Sequence, residues 1–291
     1  MNISQRTIFK CLSFALLLGP FCWATPASAE IKLSFGVYTA DKPTVVVKTF
    51  KPLLKLLERS VAKTLGEPVK IKLQVASTYA GGIDDISTGK VDFSRLGPAS
   101  YIKAKSLQPD IHILALEAKN GQKLFRGVIA VAENSSIKDV ADLKGKRFAF
   151  GDERSTIGRY LVQLYLFEKQ LQAADLAYYE YLGRHDKVGA AVASGQFDAG
   201  ALKQSTYKRL VDNGAALRVL ATFHNVTKPW IARAGLDERI VSALKASLLE
   251  ISDPMALEAL QKDGFVDGND TDYAIIRRAI DQNPRFFNQS Y

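Results

Sequence analysis

The stretch RFAFGDERSTIGRYLVQLYLFEKQLQ, residues 147–172, runs from a strand pattern through a polar turn into a helix pattern. The segment RFAF has the short, apolar and aromatic composition of a buried strand. After the turn, from Ile157 onwards, apolar residues recur at helical spacing. A strand–turn–helix unit of this kind is typical of α/β folds with a mainly parallel sheet, in which such turns lie at the ligand-binding edge.

The rest of the chain continues this alternation. Further strand patterns occur at 31–43, which ends in polar residues, and at 69–76, 91–97, 111–118, 124–132, 177–183, 197–202 and 217–223, with helix patterns between many of them and a helical tail from about 232. Two series of elements also resemble each other. Thr88–Asp92 resembles Ser194–Asp198 at an offset of 106, which also carries Tyr79 onto His185 and Tyr101 onto Tyr207; Ser34-Phe35-Gly36 resembles Ala149-Phe150-Gly151 at an offset of 115. These matches predict two similar α/β lobes.

Two such lobes place strand ends and helix N-termini at one face, so the cleft between them is the expected ligand site. The loops predicted to border this cleft are 36–44, 77–82, 97–101, 151–158, 183–187 and 202–207.

The first 29 residues have the features of a secretory signal peptide. Arg6 and Lys10 precede the apolar run 11–23, and Ala27-Ser28-Ala29 forms a small-x-small cleavage signature. We therefore expect an exported, periplasmic protein that is cleaved after Ala29. Both cysteines of the 291-residue chain lie in this segment, so the mature protein has no disulfide and no thiol nucleophile or metal ligand.

Composition restricts the partners. Loss of Arg6 and Lys10 lowers the formal net charge from +9 to +7, which favours anions, acidic partners or a membrane surface without choosing between them. Export argues against nucleic acid as the partner.

The motifs of serine hydrolases, zinc proteases and P-loop enzymes are absent from the sequence. The segment 267–272 lacks the glycine and glutamate of a calcium loop. We predict neither catalytic residues, nor a metal site, nor a cofactor.

The turn before the second-series helix offers Ser155 and Thr156 as hydroxyl donors and Gly158 for close approach of a ligand. Helix N-termini carry unsatisfied amides and partial positive charge, which suits an oxyanion. The alternative is an N-cap with no ligand, and Asp152 and Glu153 argue against an anion unless they face away.

Other candidate contacts follow predicted strands at the same edge. They are Tyr38, Tyr79 and Tyr101 of the first series, and His185 and Lys203 of the second. Tyrosine and histidine donate hydrogen bonds to anions, and lysine adds charge. The alternatives are half-buried aromatic packing for the tyrosines, and surface positions for the histidine and the lysine.

Several of these motifs, in this order, resemble those of the periplasmic solute-binding proteins of phosphate, phosphite and phosphonate ABC transporters. The motifs are GKVDFSRLGPASY (89–101), LFRGVIAV (124–131), SIKDVADLKGKRFAFGDERSTIG (136–158) and YLGRHDKVGAAVASGQFDAGAL (181–202). The resemblance implies a type II periplasmic binding protein fold with the ligand cleft between its lobes and a two-segment hinge near 120–127 and 222–229. Lobe one is then 30–123 plus 226–291, and lobe two is 124–225.

The resemblance also implies that the lobes close over an oxyanion. In lobe two the implied contacts are Ser155, Thr156, the amides near Ile157 and Gly158, and His185. In lobe one they are Tyr38 and Tyr101, with Tyr79 as a further contact. Two residues depart from the family pattern: Ile157 replaces a serine, and Lys203 stands near the place where aminophosphonate binders carry an acid. We therefore do not expect an aminophosphonate ligand. The implied role is that of a monomer delivering a phosphonate-, phosphite- or phosphate-like anion to an inner-membrane permease. The alternative is a sensor of the same fold that signals to a membrane kinase.

Overall fold

The computed structural model describes residues 29–38 and 43–288, so the predicted signal segment 1–28 lies outside the described residues. The strands are β1 Ile31–Tyr38, β2 Val69–Ala76, β3 Phe93–Arg95, β4 His112–Ala118, β5 Leu124–Ala132, β6 Arg147–Phe150, β7 Tyr178–Tyr181, β8 Ala199–Lys203, β9 Leu217–Val226, β10 Pro229–Ala232 and β11 Gly264–Val266.

The helices are α1 Pro43–Leu65, α2 Tyr79–Ser87, α3 Pro98–Leu107, α4 Val162–Glu168, α5 His185–Ala193, α6 Gln204–Asp212, α7 Glu238–Glu250, α8 Pro254–Glu258, α9 Ala274–Asp281 and α10 Asn283–Phe286. A π-helical turn, Thr156–Leu161, leads into α4. In the part of the chain that the structure describes, no helix is both long enough and apolar enough to span a bilayer.

The strands form two sheets with matching orders, β11-β4-β10-β3-β1-β2 and β7-β6-β8-β5-β9. In each sheet the first strand of the series is flanked by parallel neighbours, β2 and β3 around β1, and β7 and β8 around β6. Each sheet also contains one antiparallel strand that enters from the other lobe, namely β10 in the first sheet and β5 in the second. This architecture confirms the predicted two-lobed α/β fold.

The internal repeat is visible in the hydrogen bonds that hold equivalent strands. The Asp92 carboxylate accepts from the Ser34 amide at 2.8 Å, and the Asp198 carboxylate accepts from the Arg147 amide at 2.8 Å. The offset of 106 predicted for the aspartates therefore relates equivalent residues. The offset of 115 is wrong by two, because Phe35 pairs with Phe93 as Phe148 pairs with Ala199.

The C-terminal helices depart from the predicted lobe boundary. The α10 residue Phe286 packs edge-on against Phe150 of the second sheet, with ring centroids 5.9 Å apart, and the Asn283 amide donates to Gln163 of α4 at 2.7 Å. Residues 283–286 therefore pack against the second sheet, whereas the predicted boundary places 226–291 in lobe one. The cause is the aromatic surface of β6 and β7, which the side chains of α10 cover. The other predicted boundaries remain predictions.

Candidate functional site

A small cavity of about 30 Å³ lies between the two lobes. Its described walls are Tyr38, Tyr79, Gly97 and Pro98 from the first lobe, Phe125, Ser155, Thr156, Ile157, His185 and Lys203 from the second, and Asn225 and Lys228 from the connection between them. None of these described residues is an aspartate or glutamate. The cavity therefore has room for a compact group and has walls that suit negative charge.

Four helical segments point their N-termini at this cavity. The first residue of each lines it: Tyr79 of α2, Pro98 of α3, Thr156 of the π-helical turn and His185 of α5. The first amides of a helix have no partner in the preceding turn and carry partial positive charge. Their convergence from both lobes makes the cavity electropositive before any charged side chain is counted.

The two hydroxyls of the predicted turn are both buried at this cavity, and each accepts a backbone hydrogen bond. Ser155 Oγ accepts from the Gly158 amide at 2.9 Å, and Thr156 Oγ1 accepts from the Ala99 amide of the opposite lobe at 2.8 Å. A hydroxyl that accepts in this way still has its own proton to donate. Ser155 is thus an N-cap and an available anion donor at once, and Thr156 also links the lobes.

Tyr38 and Tyr79 form an aromatic wall from the first lobe, with ring centroids 4.1 Å apart. The Tyr38 hydroxyl accepts from the Gly97 amide at 2.8 Å and lies 3.0 Å from Ser100 Oγ. Burial raises the pKa of Tyr38 to about 12. The phenol therefore stays neutral across the physiological range and adds no negative charge to the cavity.

His185 and Lys203 are placed in the same wall from the second lobe. His185 begins α5 and is buried, while Lys203 ends β8 at the N-terminal boundary of α6 and is partly exposed. The structure thus brings together seven of the nine predicted site residues, counting Ile157.

Tyr101 and Gly158 are the two that the structure places elsewhere. The Tyr101 hydroxyl donates to Asp270 at 2.7 Å and its ring packs on Tyr273, so the side chain is buried inside lobe one. The Gly158 amide is already bonded to Ser155. A Cβ at Gly158 would lie 2.6 Å from the Gly151 Cα, so this glycine permits a close backbone crossing and is not itself a cavity wall.

Ile157 lines the cavity, but its side chain belongs to the core of lobe two. It is 2% exposed, and its Cγ2 would lie 3.0 Å from a Cβ built on Gly127. The Ile157 side chain therefore packs in the core beneath the turn, and it is the Ile157 backbone that the turn presents to the cavity.

Asn225, Lys228 and Phe125 line the cavity and were not predicted. All three lie in or beside β5 and β9, close to the two predicted crossover segments. Asn225 is 2% exposed, and neither its Oδ1 nor its Nδ2 has a hydrogen-bond partner among the described residues. Buried amides without partners are rare in folded proteins. The available signal was positional, because segments that connect two lobes also border the cleft between them.

A second, larger cavity of about 360 Å³ continues from the first and shares five walls with it: Tyr38, Gly97, Phe125, Lys203 and Lys228. Its lining includes a single described carboxylate, Glu117, and eight cationic residues: Arg95, Lys119, Arg126, Lys203, Lys208, Arg209, Lys228 and Lys262. Glu117 accepts from Arg95 at 2.6 and 3.0 Å and from Trp230 Nε1 at 3.2 Å. We call the 30 Å³ cavity the inner cavity and this one the outer cavity.

Two α/β lobes that enclose such a cleft define a solute-binding protein. Residues 35–273 match the family described as "ABC transporter, phosphonate, periplasmic substrate-binding protein". The chain therefore belongs to the family of periplasmic substrate-binding proteins of phosphonate ABC transporters.

Individual relatives agree with this membership. The chain is 27% identical over 242 residues to a probable ABC transporter phosphite binding protein, PhnD1 of Prochlorococcus marinus. The alignment covers 78% of each of the two chains. It is 26% identical over 193 residues to the phosphate-import protein PhnD of Mycolicibacterium smegmatis, covering 62% of this chain and 58% of that one. The solved structure of PhnD1 from P. marinus with methylphosphonate has a TM-score of 0.73 and 24% identity, covering 89% and 99% of the two chains.

Proposed function

We propose that this protein is exported after cleavage at Ala29, binds one small phosphorus oxyanion in the inner cavity, and delivers it as a monomer to the permease of an ABC transporter. The observation that carries the choice of ligand is the convergence of four helix N-termini from two lobes on one cavity without a described carboxylate wall. Anions are stabilised at such positions by backbone amides and helix dipoles together.

Hydrogen-bond donors around the inner cavity support a tetrahedral oxyanion. The Ser155 and Thr156 hydroxyls keep their protons while accepting from amides. The first amides of the π-helical turn add backbone donors, and Lys203 and Lys228 add positive charge from two other elements. We assign ligand contacts to Tyr38, Tyr79, Ser155, Thr156, the Ile157 backbone, His185 and Lys203, and add Asn225.

The two lobes close over the ligand because both of them contribute residues to the lining of the inner cavity. A ligand that contacts Thr156 and Tyr38 at once favours the closed arrangement, because those side chains approach each other across the cleft when the lobes close. The relatives' names, which specify phosphite and phosphate, and the methylphosphonate complex support a ligand of this chemical class. The role is capture and release, and we assign no catalytic step to any residue.

The test is binding of inorganic phosphate, phosphite, methylphosphonate and 2-aminoethylphosphonate to the mature protein, measured by calorimetry and by the shift in melting temperature, with sulfate as the control. A ligand at 100 times its Kd stabilises the native state by about 2.7 kcal/mol. We expect at least one of the first three compounds to bind more tightly than sulfate and 2-aminoethylphosphonate. If sulfate binds as tightly as every phosphorus oxyanion, the ligand assignment is wrong.

A further inference from the structure

The charges of the outer cavity differ from those of the whole chain. The sequence has 39 lysines and arginines against 30 aspartates and glutamates, whereas the described walls of the outer cavity have eight cationic residues against one carboxylate. The one carboxylate, Glu117, is held by two hydrogen bonds from Arg95. A solvated surface with ordinary charge mixing does not produce this ratio.

Four of these cationic residues form no ion pair within residues 29–38 and 43–288, namely Lys119, Arg126, Lys208 and Lys262. They come from both lobes: Lys119 and Lys262 belong to the first lobe, and Arg126 and Lys208 to the second. Closing the cleft brings these like charges into one cavity, which costs free energy unless an anion lies among them.

The boundary between the inner and outer cavities is also cationic. The Lys228 and Lys262 ammonium groups lie 5.8 and 5.7 Å from the centroid of the Phe125 ring, which lines both cavities. Burial lowers the pKa of Lys262 and outweighs the Glu117 charge, which acts to raise it, while the neighbouring Arg95 and Lys119 charges lower it further. Phe125 thus forms an apolar section between two electropositive spaces.

We propose that the outer cavity is a second anion subsite, and that the ligand of this protein is an organophosphorus anion with a second oxyacid group on a short apolar spacer. This inference rests on the proposed function, because the phosphorus group occupies the inner cavity. The spacer passes Phe125, and the second oxyacid group lies among Arg126, Lys208, Lys119 and Lys262. The same charges exclude ligands with an amino tail.

The test compares ligands that share the phosphonate head and differ in the tail. They are 3-phosphonopropionate, its isostere 3-methylbutylphosphonate, in which an uncharged isopropyl group replaces the carboxylate, and 3-aminopropylphosphonate. Methylphosphonate is the reference for the head alone. We expect the ligand with the carboxylate tail to bind at least about tenfold more tightly than the ligand with the uncharged tail. The ligand with the amino tail should bind most weakly.

Variants then locate the effect. The double variant R126Q/K208Q removes two outer-cavity charges, and K63Q/K169Q removes two exposed lysine charges outside both cavities. The affinity ratio between the carboxylate and the isostere should fall to about twofold or less in R126Q/K208Q and stay at its wild-type value in K63Q/K169Q.

Equal affinity of the wild-type protein for the carboxylate and the isostere would overturn the second subsite. In that case, binding of methylphosphonate shows that the proposed function stands without it. If methylphosphonate, phosphate and phosphite all fail to bind, both proposals are wrong. A ratio that falls equally in both double variants would also overturn the proposal, because the effect would then be one of net charge.

Discussion

Tyr79 and His185 are equivalent residues of the two lobes, and they line the same cavity. Each is the first residue of a nine-residue helix, and 106 positions separate them. The two-lobed repeat therefore presents an aromatic hydroxyl from one side and an imidazole from the other. Equivalent positions have diverged in chemistry while keeping their place at a helix N-terminus, where an anion is favoured.

Ser155→Ala should lower stability and affinity together, because its hydroxyl caps the π-helical turn and also faces the inner cavity. Loss of an N-cap costs about 1 kcal/mol. The matched control is Asp253→Ala, since Asp253 Oδ1 accepts from the Ala256 amide at 2.9 Å in the same three-residue geometry, outside the cleft. Denaturation should show similar losses for both variants, and calorimetry should show weaker phosphite or phosphate binding for Ser155→Ala. Equal affinities in the two variants would reduce Ser155 to a cap.

Thr156→Val should shift the protein toward its open form. The valine keeps the shape but cannot accept from the Ala99 amide, which the closed cleft buries. An unsatisfied buried amide costs about 1–3 kcal/mol, so ligand affinity should fall by about 5- to 150-fold.

The control for this variant is Thr156→Ser, which retains the acceptor. Small-angle scattering during a phosphite titration should then show the closed dimensions for the serine variant at lower ligand concentration than for the valine variant. Identical titration curves would mean that the inter-lobe hydrogen bond does not govern closure.

Asn225→Leu should stabilise the ligand-free protein and weaken binding. Its two amide atoms are buried without partners among the described residues, and replacing them by apolar atoms removes a desolvation cost of about 1–3 kcal/mol. Thr227→Val is the control, because Thr227 Oγ1 is also buried without a hydrogen-bond partner in the described chain but does not line either cavity. Melting temperature should rise in both variants, while phosphite affinity should fall in Asn225→Leu alone. A loss of stability in Asn225→Leu would contradict this role.

Stability should fall at low pH in a way that depends on Glu117. Burial acts to raise the pKa of this carboxyl, but the Arg95 charge and hydrogen bonds outweigh burial and hold the pKa below its usual value. The folded protein then binds fewer protons than the unfolded chain, so this stabilisation is complete above the ordinary glutamate pKa of about 4.3 and is lost as pH falls through the lowered folded value.

Glu117→Gln should therefore lower the free energy of unfolding at pH 7 and reduce its decline between pH 7 and pH 3. Urea denaturation at several pH values measures both effects, with the exposed Glu250→Gln as the control. The same pH dependence in Glu117→Gln and wild-type protein would show that other carboxyls cause the acid sensitivity.

Most of the fold could be predicted from local patterns. Strand and helix periodicity located the α/β units. The match of Thr88–Asp92 to Ser194–Asp198 gave the correct offset of 106, because Asp92 and Asp198 make the same hydrogen bond in each lobe. The match of Ser34-Phe35-Gly36 to Ala149-Phe150-Gly151 failed by two residues, since Gly36 lies inside β1 whereas Gly151 follows the last residue of β6. The place of α10 depends on Phe286 meeting an aromatic surface made by β6 and β7, and this contact has no local signal.

Site residues could be predicted where their position in a helix or strand decides which way the side chain points. Ser155, Thr156 and His185 begin or cap helical segments, so their place at the cavity follows from the order of elements. Tyr101 lies one turn into α3, where the helix rotates its side chain toward Asp270. Asn225 belongs to a strand whose neighbours are set by the second sheet, so only the three-dimensional pairing with Phe125 brings it to the cavity.

The strand order also sets a sequence of events during folding. In the first sheet β10 lies between β3 and β4, so that sheet remains incomplete until Pro229–Ala232 is present, about 200 residues after β1 begins. Contacts of such long sequence separation form slowly. An emerging chain of this protein therefore cannot complete its N-terminal sheet until most of its length has been synthesised.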